Sequence, residues 1–293
     1  MRRRHGWRGT GGDWRIHHYT LAEYGQTAEL AQRGGRAHGS GNASVTYGGS
    51  QRWDLGLGFD GMMRLFETGW RKGAESLETI TSEALAAARS TLKDQTYTAT
   101  DDPAQALEWD LAAYLSGEPE HYIECQDFRT GSMRIPDRAL RVGVRFAFSV
   151  GTDGQDMQRA VSTGVGVALG VMAHGVPVVL DAVSCIKCTC STSRSSIQTV
   201  RLLDANSVES YDMLAVACHP GFLRRAGFAV CETNADICSC VRGGDYGYPT
   251  TVESLPVATQ RELGFDLVIE AGVNCDAAGV VKMINAAIEG MRA

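Results

Sequence analysis

No stretch of this sequence is both long and apolar enough to cross a bilayer. The best, Val161 to Leu180, is broken by glycines, His174 and Pro177. The first residues carry arginines but no apolar run behind them, so no secretory leader is expected and the expected residence is a cytoplasm. There is no Gly-x-x-x-x-Gly-Lys-Ser/Thr loop to cradle phosphates and no Gly-x-Ser-x-Gly elbow to present a nucleophile. A nucleophile needs a base within reach, and four of the seven histidines (His5, His17, His18, His38) fall in the first 52 residues. Of the others, His174 stands at a helix end, where an imidazolium complements the helix dipole, and His219 precedes Pro220 as a packing or capping residue. Carboxylates are plentiful, but no pair stands out, so no catalytic residue is assigned and the reading is a non-enzyme.

What is present is a chain of 293 residues, 44% apolar and 21% charged, enough for a sizeable core. The formal charge of −6 is uneven: residues 1–52 hold eight Lys/Arg against three Asp/Glu, and the remainder 20 against 31. The first 52 residues, dominated by glycine, arginine and small polar residues, read as a basic, partly mobile arm with a short helix near Thr20–Arg33. A solvated tail explains that composition. A nucleic-acid arm using Arg2, Arg3, Arg4, Arg8 and Arg15, with Trp7 and Trp14 to stack on bases, is the rival explanation.

From Trp53 to about residue 140 the spacing predicts a helical region. "GFDGMMRLFETGWRKG" is one helix, capped by Asp60 and stopped at Gly73; "SEALAAARSTLKD" is a second, and a third opens at Pro103. From Arg141 strands and helices alternate: strands at 142–149, 176–184, 196–204, 227–232 and 265–272, with helices at 154–173 and 276–291. Such alternation predicts an α/β domain over 141–293, a doubly wound, mostly parallel, Rossmann-like sheet. The short link at 185–195 allows a hairpin and so one antiparallel edge strand. Nine cysteines include "CIKCTC" and "CETNADICSC". If strands 176–184 and 227–232 flank the first strand, both clusters leave the same sheet edge. Cys185, Cys188, Cys190, Cys231, Cys238 and Cys240 then become candidate zinc ligands. Reduced thiols in loops are the simpler explanation, and no cofactor is assigned; a reversible disulfide is a third use.

The strand, turn and helix in "RFAFSVGTDGQD", with the alternation that follows, resemble a von Willebrand factor A domain over 141–293. Through "GFDGMMRLFETGWRKGAESL", "AAYLSGEPE" and "HPGFLRRAGF" the chain also resembles an uncharacterised family of bacteriophage proteins, over roughly residues 20–291. In A domains the first strand ends in Asp-x-Ser-x-Ser, which helps to hold a divalent cation. The resemblance puts those positions at Ala147, Ser149 and Gly151, where a single hydroxyl survives, so the junction is expected to have lost its metal. The implied function is a non-enzymatic phage protein acting as a protein-interaction module. Its partner is another protein, by analogy a ring-forming ATPase, or a second copy of itself. The alternative is a virion or nucleic-acid-associated component that uses the basic arm. The expected location is the host cytoplasm, or the particle under the alternative, with no membrane partner.

Overall fold

The computed structural model describes residues 13–35, 43–46, 50–91, 97–100, 108–109, 122–125, 138–149, 151–173, 176–187, 194–205, 210–234, 248–270 and 277–290. The chain enters through a strand, β1 (Asp13–Thr20), and a helix, α1 (Leu21–Gln32). Thr20 closes the junction between them: its hydroxyl accepts from the Glu23 amide, while the Glu23 carboxylate accepts from the Thr20 amide. One-turn helices α2 (Ala43–Thr46) and α3 (Gln51–Asp54) lead to α4 (Gly58–Thr68) and the long α5 (Arg71–Thr91). Helix α4 ends at Gly69, whose φ of +77° suits glycine. Gly73 lies inside α5, and Asp60 accepts a bond from Gln32 Nε2 rather than capping α4.

A separate antiparallel sheet pairs β2 (Tyr97–Thr100) and β3 (Glu108–Trp109) with β4 (Tyr122–Cys125). Residues 108–109, expected within a third helix, are therefore extended, and the rest of that expected helix lies outside the described residues.

The main sheet is mixed, with six strands in a mostly parallel arrangement. β5 (Leu140–Arg145) is joined through α6 (Gly154–Ala173) to its parallel neighbour β6 (Val178–Lys187). β6 turns back into antiparallel β7 (Arg194–Leu203), the hairpin expected from the short link, but β7 is not the expected edge strand, because β1 pairs along its outer side. Helix α7 (Tyr211–Val216) is followed by a π-helical turn, Phe222–Gly227, that runs directly into α8 (Phe228–Thr233). Then come β8 (Tyr248–Pro249), a 3₁₀ turn at Val252–Ser254, α9 (Val257–Leu263), β9 (Leu267–Ile269) and α10 (Ala277–Gly290). Strand order is β1-β7-β6-β5-β9, with β8 on the end of β6 and β1 and β9 parallel to their neighbours.

Two expectations change. Residues 227–232 are helical, and the second neighbour of β5 is β9 instead. A short apolar run bounded by turns reads alike as a strand or a buried helix, and here it is a helix with Ala229, Val230, Cys231 and Glu232 buried. Residues 13–32 belong to the body: β1 pairs with β7 along its whole length, and Tyr24, Ala28 and Ala31 of α1 are buried in the core. Average composition hid a stretch that serves both sheet faces. Trp14 and Ile16 pack on one face, and Tyr19 on the other.

The larger core lies on the face carrying Val142, Val144, Leu180, Ala182 and Val200. Helix α6 is sandwiched there between the sheet and α5. A side chain at Gly164 would meet Val144 Cγ1 at 2.8 Å, and one at Gly170 would meet Ala84 Cβ at 2.7 Å. That position accounts for the apolar, glycine-broken run of the sequence. No helix among the described residues is long and apolar enough to cross a membrane. The opposite face holds a smaller core of Val183, Cys185 and Ile197 under Val252, Leu255 and Leu263.

Candidate functional site

In open α/β sheets, ligands sit beyond the carboxyl ends of the parallel strands, and here that place is the turn after β5. The chain leaves the strand through Phe146 and Ala147, both buried. The Thr152 amide closes a turn on the Ser149 carbonyl at 3.0 Å, and Asp153 opens α6 by accepting from the Gln155 amide at 2.9 Å. Of the three positions that the resemblance singled out, Ala147 is core, Ser149 offers its carbonyl to the turn, and Gly151 lies in open space.

A cation does stand at this junction, and the chain supplies it. Arg224, from the π-helical turn, is 2% exposed; its guanidinium lies 4.1 Å from the Trp53 ring and donates to the carbonyl oxygens of Trp53 and Thr152. Burial pulls it down to about 10, with Asp153 and Asp54 partly opposing, which leaves it charged at neutral pH. A cation–π face and two carbonyl acceptors replace the water the group has lost. Gly154, the first residue of α6, is abutted by the carbonyls of Arg52 and Trp53 and by Pro220.

Next to it, Arg225 is fully buried and forms an ion pair with fully buried Asp54, Nε to Oδ2 at 2.7 Å and Nη2 to Oδ2 at 2.6 Å. Its Nη1 donates to the Ser44 carbonyl at 3.0 Å. The Asp54 carboxylate also accepts three backbone amides, from Ser50 at 3.0 Å, Gly56 at 3.2 Å and Gly58 at 3.1 Å. Ser44 is held from its other side by buried Glu232, which accepts the Ser44 amide at 3.0 Å and hydroxyl at 2.7 Å. His219 lies edge-on to Trp70 at 4.6 Å, and its Nδ1 accepts from the Gly221 amide at 3.0 Å, so the proton sits on Nε2. Burial pushes this imidazole down to about 4, against an opposing pull from Asp54.

The cysteines lie elsewhere. Cys185 is buried in β6, on the face with Val183 and Ile197. Cys231 is buried in α8 and accepts from Gln198 Nε2 at 3.0 Å, on the other face. Burial raises both thiols to about 12. The shared sheet edge expected for the two clusters rested on a strand at 227–232, and these two members stand on opposite sides of the sheet. Cys188, Cys190, Cys238 and Cys240 lie outside the described residues, as do Arg2, Arg3, Arg4 and Arg8. Arg15 is in β1, in register with Ser196. Among the described residues, no group of three or more His, Cys, Asp or Glu is placed to hold a metal ion.

Ser44, Trp53, Asp54, Arg224, Arg225 and Glu232 were not singled out from the sequence as site residues. One signal was there: two adjacent arginines inside the otherwise apolar "HPGFLRRAGFAVC". Fully buried arginine is rare unless paired, so such a run implies a buried carboxylate elsewhere in the chain.

A family model described as a domain of unknown function, DUF7192, matches residues 20–284, from the end of β1 into α10. No curated protein and no solved structure matches the chain.

Proposed function

The chain belongs to the DUF7192 family, and we propose that it works without catalysis, as a protein-interaction module built on an A-like sheet. One observation carries this reading: the place where α/β domains hold a cation or cofactor is filled by the chain's own Arg224, which donates to the carbonyls of Trp53 and Thr152. A guanidinium fixed on carbonyls and an indole ring has no proton to give at neutral pH and repels an incoming metal ion. Parallel strands on both sides of β5, with antiparallel β7 outside β6, support the likeness to an A domain. The bacteriophage setting and the partner, a ring-forming ATPase or a second copy, come from the resemblance and its analogies.

The test is affinity capture of the tagged full-length protein from phage-infected cells, followed by reconstitution with the purified partner and by light scattering of the protein alone. The expected result is a stoichiometric protein complex or a defined self-assembly. A monomer that captures nothing reconstitutable would overturn the reading.

A further inference from the structure

Two adjacent arginines grip two adjacent residues. Arg224 stacks on the Trp53 ring and donates to the Trp53 carbonyl, and Arg225 forks onto the Asp54 carboxylate. A π-helix fits more residues into each turn than an α-helix, so successive side chains diverge less around its axis. The six-residue π-turn at Phe222–Gly227 thus turns both guanidinium groups toward one short segment. That segment, residues 50–58, is strained at Leu55 and is held by the buried ion pair together with Trp53 on Phe228 and Leu57 on the core. Leu55 is the only non-glycine residue with positive φ among the described residues, at +54°, and Gly56 and Gly58 follow at +77° and +69°. These turns aim the amides of residues 50, 56 and 58 at the Asp54 carboxylate, so the carboxylate's cage belongs to the segment and its counter-ion to the core. A buried ion pair is a weak source of stability, because the cost of desolvating both charges offsets much of their attraction. Release also frees Leu55 from its conformation. Strain, a π-turn and a buried ion pair therefore coincide at the carboxyl edge of the sheet, where α/β folds bind ligands.

We infer that residues 50–58 are an exchangeable internal ligand, and that a partner segment bearing an aromatic residue followed by an aspartate or glutamate takes their seat on Arg224 and Arg225. The recognised unit has three points: an aromatic face for Arg224, the carbonyl of that same residue, and the next side chain's carboxylate for the Arg225 fork. This rests on the interaction reading and gives it a place and a partner chemistry.

The experiment uses the full chain and a labelled peptide of its own sequence, SQRWDLGLG. In the wild-type protein, amides of residues 50–58 exchange with deuterium through local opening, ahead of those of α6, and adding the peptide speeds that exchange. A full-length Trp53→Ala/Asp54→Ala variant binds the peptide about tenfold or more tighter than wild type, and a peptide with Asn in place of the aspartate loses about as much, since a charge-assisted fork becomes a neutral contact. Exchange of residues 50–58 only together with the core, unaffected by the peptide, overturns the inference, and this readout needs no variant to fold. So does a cooperatively melting double variant that ignores the peptide. A captured partner that protects a surface away from residues 50–58 and 222–233 overturns the seat while leaving the module; the absence of any partner sinks the module itself.

Discussion

His219 shows how much one residue's environment decides. Placed before Pro220, it reads from the sequence as a packing or capping residue, and it does accept the Gly221 amide while standing against Trp70. Burial adds a pH dependence that the sequence does not reveal. The folded imidazole stays neutral down to about 4, whereas the unfolded one takes a proton near 6.5. Between those values the unfolded state binds more protons, so stability is full above pH 6.5 and is lost as pH falls toward 4. The loss attributable to this residue is on the order of 3 kcal/mol at most. His219→Asn keeps an acceptor for Gly221 without a titrating group. Urea unfolding at pH 7 and pH 4.5 is expected to show wild type losing roughly 2 kcal/mol more than the variant over that interval. An equal loss in both proteins would mean that His219 is not the titrating group. Residue chemistry at the junction was legible in part: Ala147, Ser149 and Gly151 are poor in ligand oxygens by their identities alone. The arginines that occupy the neighbouring space were not, because nothing local pairs Arg225 with Asp54, 171 residues earlier.

Elements were legible where periodicity and length agreed. Helix α6 runs over the residues read from the sequence, and the β6–β7 hairpin follows from a link too short for a crossover. They were illegible where burial on every side erased the period, as in Phe222–Thr233. The glycines of α6 show a finer level of specification. Gly166 would place a Cβ 2.6 Å from Ile80 Cγ2 and 3.0 Å from Ile80 Cβ, a β-branched side chain that is stiff at χ1. Gly170 would place one 2.7 Å from Ala84 Cβ and 2.9 Å from both the Thr81 carbonyl oxygen and the Leu85 amide nitrogen, which are backbone atoms of α5. Each Gly→Ala change gains up to about 1 kcal/mol of helix propensity, and overpacking costs about 1–3 kcal/mol. Both changes are therefore expected to destabilise, Gly166→Ala by up to about 1 kcal/mol and Gly170→Ala by roughly 1–2 kcal/mol, read from urea midpoints at constant slope. Restoring space with Ala84→Gly should recover only part of the loss, since the Thr81 and Leu85 backbone remains. A larger cost at Gly166 than at Gly170 would show that the two helices meet differently.

Across the whole molecule, the N-terminal segment holds two kinds of residue that composition averaged together. β1 lies in register with β7 over eight residues, and Tyr24 of α1 packs on Phe222 at 5.0 Å while its hydroxyl donates to Gln198 at 2.9 Å. Deleting residues 1–52 would thus remove a strand, a core helix and Ser44, the partner of Arg225 and Glu232, and any lost binding would report unfolding. Arg15 is likewise a sheet residue. A clean trial of the nucleic-acid alternative neutralises Arg2, Arg3, Arg4 and Arg8 to Ala and leaves β1 whole. If these four reach phosphates, wild-type affinity for duplex DNA falls with salt more steeply than the variant's, by about 3–4 in the log–log slope, because each neutralised phosphate contributes about 0.9. Residues 53–293, with 31 acidic against 20 basic residues, repel a polyanion and add nothing to that slope. On the interaction reading, wild type and the four-arginine variant are expected to share one shallow slope and to capture the same partner equally. A difference in slope of the size given, with the melting temperature unchanged, would move the protein to the nucleic-acid class whatever the seat on Arg224 and Arg225 holds.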